Sequence, residues 1–457
     1  MSELNIVLEN TLKKLLEERK YLSIKDVLST MNPSDIAAIL DEVSQQQLPK
    51  IFRLLPKELA AETFVEMDSD SQELLIQSFS DSELKLVIDE LYVDDAVDIV
   101  EEMPANVVRR ILEQAAPDMR KDINQILRYP EDSAGSVMTT EYVSLSSNYN
   151  VGQAIEHIRR TGYDRETIYT CYVTENRKLI GTVSVKDLLL AKDDSIKILS
   201  LTQTNFISVN TNTDQEEVAR IFARYNLLAL PVVDSEGLIV GIITVDDAMD
   251  VMEEETTEDI ELMGGMMPSD KTYMKSSPID IFRHRIPWLM ILMVSATFTG
   301  LIIAGFEDAL SRMVVLTAFI PMLMDTGGNS GSQSSVTIIR ALSLGEVEFN
   351  DLPKIITKEL ATALLCATVL SVLCFIKIML VDRLLIGNTD ITAQVALLVC
   401  ITMAATIIVA KLIGCSLPVI AKKIGFDPAV MASPFITTIV DALSLLIYFS
   451  ITKAILL

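Results

Sequence analysis

Gly181-Thr182-Val183-Ser184-Val185-Lys186-Asp187 returns further along the chain as Gly241-Ile242-Ile243-Thr244-Val245-Asp246-Asp247. Each copy closes a β-rich run with Ser or Thr, two further residues and Asp, and each leads into a helical pattern. Before the first copy stand Val137-Met138-Thr139, Glu141-Tyr142-Val143-Ser144-Leu145, a helix over 151–160 and strands over 168–173 and 179–183. Before the second stand Phe206-Ile207-Ser208-Val209, a helix over 213–224 and Leu230-Pro231-Val232-Val233-Asp234. The spacing predicts a duplicated βαβ module over 131–252.

Upstream, over 1–130, helix-start residues recur about every 12 positions: Pro33-Ser34-Asp35, Ser44-Gln45, Pro56-Lys57-Glu58, Ser69-Asp70, Ser80-Asp81, Val93-Asp94-Asp95, Pro104-Ala105 and Pro117-Asp118. Pro, Ser and Asp cap a helix or fit its first turn. Helices this short are marginal alone, so stacking is expected, as a small α-solenoid or a plain bundle. Asp94, Asp95 and Asp98 share about one turn, which the helix dipole alone would favour.

Downstream, Asp247, Asp250, Glu254 and Glu258 recur at three- and four-residue spacing and share one helix face. Such a face is either a solvated linker or is neutralised by cations. Apolar runs follow over 286–305, 313–324, 360–381, 391–417 and 430–457. They predict five spans in a membrane domain over 285–457, the second broken by Asp325-Thr326-Gly327-Gly328-Asn329-Ser330-Gly331-Ser332-Gln333-Ser334-Ser335 and resuming over 336–344. That polar stretch is either open backbone facing protein or water, with oxygens from Asn329 and Gln333, or a small-residue packing face. Asp441, mid-span, reads as an ion ligand or a proton relay, with a neutral hydrogen-bonded Asp as the alternative.

Charge divides the 457 residues in the same way: residues 1–280 carry 52 acids against 26 bases, and residues 281–457 carry 11 against 12. An acidic surface excludes nucleic-acid binding. Cys171, Cys366, Cys374, Cys400 and Cys415 are scattered without a CxxC pair, which argues against a disulfide-stapled secreted protein. The first 20 residues read as a charged amphipathic helix without a signal-peptide core, so the acidic part is expected in the cytosol. With His157 and His284 the only histidines, metal chemistry falls to oxygen ligands, which suit Mg²⁺ or Ca²⁺. The acidic part, with His157 and Cys171 alone, offers no nucleophile constellation, so no enzyme is expected. Arg283, Arg285, Arg340, Lys354, Lys358, Lys422 and Lys423, set against Arg312, Arg383 and Lys453, place the N-terminus inside and the C-terminus outside a multi-pass cytoplasmic membrane protein. The spans are expected to lack buried cations, which argues against an anion transporter.

The doubled motif resembles a tandem pair of CBS domains. That resemblance implies an adenine nucleotide, with ATP the candidate, held by Asp187 on the ribose and Ser184 near phosphate. Asp247 with Thr244 is the weaker equivalent. Phe319-Ile320-Pro321-Met322-Leu323-Met324-Asp325-Thr326-Gly327-Gly328-Asn329-Ser330-Gly331-Ser332-Gln333-Ser334, Leu344-Gly345-Glu346-Val347, Asp427-Pro428-Ala429, Ser433-Pro434, Thr437-Thr438, Asp441 and Ile447-Tyr448 resemble the MgtE family of Mg²⁺ channels. So do Asp214-Gln215-Glu216-Glu217-Val218-Ala219-Arg220 and Thr257-Glu258-Asp259-Ile260. Ser444 and Ser433 depart from the family pattern.

The resemblance implies a multidomain membrane protein: an all-α solenoid N-domain, a tandem CBS (α/β) pair, a connecting plug segment over 253–284 with its helix over about 253–275, and five transmembrane helices. It implies that Asp441 and a carbonyl near Thr437 hold hydrated Mg²⁺, with Co²⁺ and Mn²⁺ as competing cargo; Asn329 offers a further oxygen, and a twofold homodimer in the lipid bilayer would bring two copies of Asp441 together on its axis. It also implies negative feedback, in which cytosolic Mg²⁺ closes the pore. The pairing of Asp94, Asp95 and Asp98 with Glu216, Asp247, Asp250, Glu255, Glu258 and Asp259 is an inference added to it. A proton- or sodium-coupled carrier using Asp441, and a CBS-regulated signalling protein, are the rival readings.

Overall fold

The computed structural model describes residues 11, 14–15, 18, 20–269, 273–274, 276–307, 311, 313–431 and 433–456. The helix expected at the start of the chain lies mostly outside these residues, as does Arg312. The chain divides into two compact units, Met1–Met252 and Glu253–Leu457.

The first unit opens with short helices: α1 (Tyr21–Leu28), α2 (Pro33–Asp41), α3 (Leu48–Phe52), α4 (Lys57–Val65), α5 (Ser69–Ser78), α6 (Asp81–Ile88), α7 (Val93–Glu102), α8 (Ala105–Gln114) and α9 (Pro117–Ile126). Their starts follow the capping pattern. Pro33 and Pro117 occupy first-turn positions, Asp68 accepts the Ser71 N–H at 2.9 Å, and Ser80 and Glu83 form a capping box. Helix α3 begins at Leu48 and not at Ser44, because residues 44–47 close a turn with Gln47 N–H on the Ser44 carbonyl at 2.8 Å. Next-but-one helices pack together, α2 on α4, α4 on α6, α6 on α8 and α7 on α9, in the stacked manner expected. Between them Ile36, Leu40, Phe64, Leu75 and Ile76 are buried, and Phe52 meets Phe64 and Phe79 with ring centroids 6.1 and 5.5 Å away. Each such side chain contributes about 1.5–3 kcal/mol, which carries helices too short to stand alone.

Two equivalent three-stranded sheets follow. β1 (Ser144–Ser146) runs parallel to β2 (Thr170–Glu175), which pairs antiparallel with β3 (Lys178–Ser184). β4 (Val209–Asn210), β5 (Ala229–Val233) and β6 (Ile239–Thr244) repeat that order. α10 (Val151–Thr161) and α12 (Gln215–Tyr225) are the crossover helices, and α11 (Val185–Leu189) follows β3. The two modules exchange their leading segments. Thr139 trades backbone hydrogen bonds of 2.8 and 2.9 Å with Ile242 in β6, while Gln203 trades 2.8 and 3.1 Å bonds with Thr182 in β3. This explains the glycine that opens each motif. A Cβ on Gly181 would lie 2.6 Å from the Gln203 carbonyl oxygen, and one on Gly241 2.7 Å from that of Thr139.

α13 (Val245–Met263) grows out of the second motif and crosses the division between units. It ends at Met263, short of the expected 275. Gly265 takes φ +68°, with Gly265 N–H on the Leu262 carbonyl and Met266 N–H on that of Glu261, both at 2.9 Å, as in a Schellman cap.

The second unit holds α14 (Pro278–Gly305), α15 (Ile320–Ser343), α16 (Leu352–Lys377), α17 (Ala393–Lys423) and α18 (Ser433–Leu456). The helical stretches Pro278–Gly305, Phe349–Leu385, Ala393–Lys423 and Pro428–Ile455 are long and apolar enough to cross a bilayer. α15 is less apolar because it contains the polar stretch. That stretch is continuous helix, which corrects the expected break. Its glycines let other helices approach: a Cβ on Gly414 of α17 would lie 2.2 Å from the Gly331 carbonyl oxygen, and one on Gly328 2.8 Å from Thr437 Cγ2 of α18. Close packing on both sides therefore holds the backbone helical, and the small-residue face is the reading that applies.

Candidate functional site

In the first unit, the start of α7 faces the second motif. Asp94 is buried, 7 % exposed, and its Oδ1 has no hydrogen-bond partner. Its electrostatic neighbours are Asp247, Asp95 and Glu166. The Val93 N–H donates to Glu141 Oε2 at 3.2 Å, and the Glu166 N–H to the Glu141 carbonyl at 3.0 Å, so this loop of the first module is tied to the start of α7. Burial, and then those neighbouring charges, push the Asp94 carboxyl well above the usual range. Burial and Asp247 raise Asp95 to about 7, and burial with Asp95 and Asp247 raises Glu166 to about 8. Burial also raises Asp247, against the hydrogen bonds from Thr244, with Asp246 and Asp250 adding to the rise. Acids held this way favour either protons or a cation.

The structure thus gathers Asp94, Asp95 and Asp247, with Asp250 acting on Asp247, and adds Glu166, Glu141 and Asp246, which the sequence did not single out. Asp98 is exposed one turn along α7. Glu216 is ion-paired with Arg220 on α12 and is absent from the charges acting on Asp94 or Asp95. Glu255, Glu258 and Asp259 belong to the second unit, where Asp259 Oδ2 accepts from Ser343 Oγ at 3.2 Å. Among the described residues, no three acidic, His or Cys side chains converge closely enough to hold a metal ion as they stand.

The two motif acids share a local geometry. Ser184 Oγ donates to Asp187 Oδ2 at 2.6 Å and accepts the Asp187 N–H at 3.0 Å. Thr244 Oγ1 donates to Asp247 Oδ2 at 2.6 Å. Each pair braces the turn from strand to helix. Asp187 remains half-buried and outside the acidic cluster.

In the second unit, Asp441 sits on α18 with its Oδ1 buried and without a hydrogen-bond partner. Asp325 of α15 acts on it electrostatically. Asn329 Nδ2 donates to Asp325 Oδ1 at 3.0 Å, and Thr437 Oγ1 lies 3.3 Å from Ser332 Oγ. Asp325, Asn329 and Gln333, four residues apart, form an exposed polar stripe along α15. A stripe of this kind does not face lipid. Its spacing was legible once the stretch is taken as helix. Ser444 Oγ packs where a Cβ on Gly327 would come within 2.8 Å, so this departure from the family pattern falls on a tight helix crossing. The side chain of Ser433 lies outside the described residues.

The expectation of spans without a buried cation is corrected by Lys411 on α17, which is 5 % exposed. A lysine in an apolar run escapes notice when its polar partners come from other helices.

The fold and these acidic sites define a class: a multi-helix membrane transporter of divalent cations with an attached CBS pair. Family models agree over most of the chain: the MgtE divalent cation transporter over residues 320–451, the MgtE intracellular N domain over 31–132, and the CBS domain over 134–194 and 198–254. The chain is 34 % identical over 453 residues to the magnesium transporter MgtE of Thermus thermophilus, covering 98 % of each chain. It is 32 % identical over 441 residues to that of Bacillus subtilis, covering 96 % of this chain and 95 % of the relative. It is also similar to the crystal structure of the cytosolic domain of the Mg²⁺ channel MgtE in complex with ATP, with 34 % identity and a TM-score of 0.51 over 53 % of this chain and 99 % of that one. The soluble part of a magnesium transporter matches with 26 % identity and a TM-score of 0.50 over 55 % of this chain and 99 % of that one. The chain belongs to the MgtE family of magnesium transporters.

Proposed function

We propose that the chain is a Mg²⁺ channel for uptake, working as a homodimer with its N-terminus in the cytosol and closed by cytosolic Mg²⁺. The observation that carries the proposal is the membrane unit's polar inventory: an unpartnered carboxylate oxygen on Asp441 beside an exposed stripe of Asp325, Asn329 and Gln333. Such groups need water or protein opposite them, and a second copy related by a twofold axis supplies both. Two Asp441 carboxylates match the charge of Mg²⁺, which keeps most of its water and is held through few direct ligands. Inward flow needs no other energy source, since a divalent ion gains about 4.6 kcal/mol per 100 mV.

The acidic cluster of Asp94, Asp95, Asp247 and Glu166 is the sensor. Without cations its repulsion opens the contact between the helical stack and the modules; Mg²⁺ neutralises it. The exposed Asp98 and Asp250 of the same unit extend the sensing surface. ATP at the CBS pair, through Ser184 and Asp187, tunes that response; the solved relative with ATP supports this reading.

The test is growth of a strain lacking other Mg²⁺ importers. Wild type restores growth at limiting Mg²⁺ and Asp441→Ala does not; normal growth of the variant would sink the pore assignment. Current through a planar bilayer at fixed pH separates a channel from a proton-coupled carrier.

A further inference from the structure

Lys411 is an anomalous side chain for a membrane helix. It is 5 % exposed, on a helix long and apolar enough to span a bilayer. A buried ammonium there needs partners of opposite character. Its Nζ donates to Ser334 Oγ of α15 at 3.2 Å, and that hydroxyl donates to Glu359 Oε2 of α16 at 2.7 Å. Ser334 is itself 2 % exposed. One hydroxyl therefore relays between a cation and an anion carried by two other helices, and the three residues together are neutral. One turn away, Gly331 of α15 and Gly414 of α17 are in direct backbone contact. The crossing of α15 and α17 is thus held by a steric contact and by a polar one, a turn apart.

Ser334 lies away from the exposed Asp325, Asn329 and Gln333 stripe. Whatever fixes the rotation of α15 at Ser334 fixes where that stripe points. We infer that Lys411, Ser334 and Glu359 form a charge-neutral clamp, in which Lys411 is a positioning residue that sets α15 for ion passage without touching the ion. This rests on the conduction reading above.

The test uses the purified full chain in liposomes, reading Mg²⁺ influx as maximal rate and half-saturating concentration for wild type, Lys411→Met, Glu359→Gln, the double variant and Ser334→Ala. Each single charge removal is expected to lower the maximal rate at least about tenfold with half-saturation within about twofold, because the ion ligands stay in place while the buried Lys411 or the half-buried Glu359 loses its counterpart. The double variant recovers to within about threefold of wild type, since neither charge is then left alone. Ser334→Ala, a small deletion that folds where the charge variants do not, lowers the maximal rate about threefold or more. Single variants that match wild type, a double variant no better than the worse single, or an unchanged Ser334→Ala each overturn the clamp. Wild-type liposomes without influx would instead overturn the conduction reading.

Discussion

The two modules of the first unit carry one motif in two settings. Around Asp187 and Asp247 the local hydrogen bonds are alike, at 2.6 Å from Ser184 Oγ and from Thr244 Oγ1. Their surroundings differ. Asp187 lies within a five-residue helix that ends at the exposed Leu189, whereas Asp247 lies in the first turn of the acidic α13 and faces Asp94. The motif builds the strand-to-helix turn wherever it occurs, and its neighbours decide whether the acid stands apart or faces other carboxylates.

The largest effect tests what the copies share. Gly181→Val and Gly241→Val each drive side-chain carbon into a backbone carbonyl of the other module, and each is expected to lower the unfolding free energy by about 3 kcal/mol, read by denaturant melts. Unequal losses would break the equivalence of the two exchanges.

The next effect belongs to the second copy's surroundings. Glu166, raised to about 8, and Asp95, raised to about 7, hold protons in the folded chain that the unfolded chain has released by neutral pH. The folded state then binds more protons, so stability falls as pH rises. Between about pH 5 and pH 8, in chelator, the loss should be about 2 kcal/mol. Glu166→Gln should flatten it; a pH profile indifferent to that change refutes the cluster.

Exchanging the acids separates their roles. Asp247→Asn should shift the Mg²⁺ concentration that protects the chain from protease by about tenfold, one carboxylate being lost to a hard cation. Asp187→Asn should leave that midpoint unmoved. The smallest effect returns to the shared turn: Ser184→Ala and Thr244→Ala should each cost about 1 kcal/mol, and a marked difference would show that the two turns are built differently.

The sequence announced the helical stack through its capping residues, the paired modules through their repeat, and the membrane unit through its apolar runs. It misled where an element depends on partners distant in the chain. The stretch from Asp325 to Ser335 looks like broken helix because glycine and serine are poor helix formers in isolation; packing against α17 and α18 is what the local reading lacks. Glu166 sits in a loop with no periodicity to mark it, and only the folded chain brings it to Asp95. Lys411 was hidden for the same reason, since Ser334 and Glu359 arrive from two other helices.

The reciprocal exchange at Thr139 and Gln203 has a consequence for how such a chain arises and breaks. A half that held one module alone would keep a sheet edge that its sibling normally completes, with bare donors and acceptors open to any passing strand. The two modules therefore complete each other's sheets as a pair. A truncation that ends after the first module is expected to precipitate as intermolecular β-structure, while a chain cut between the modules but supplied with both pieces can still close its sheets.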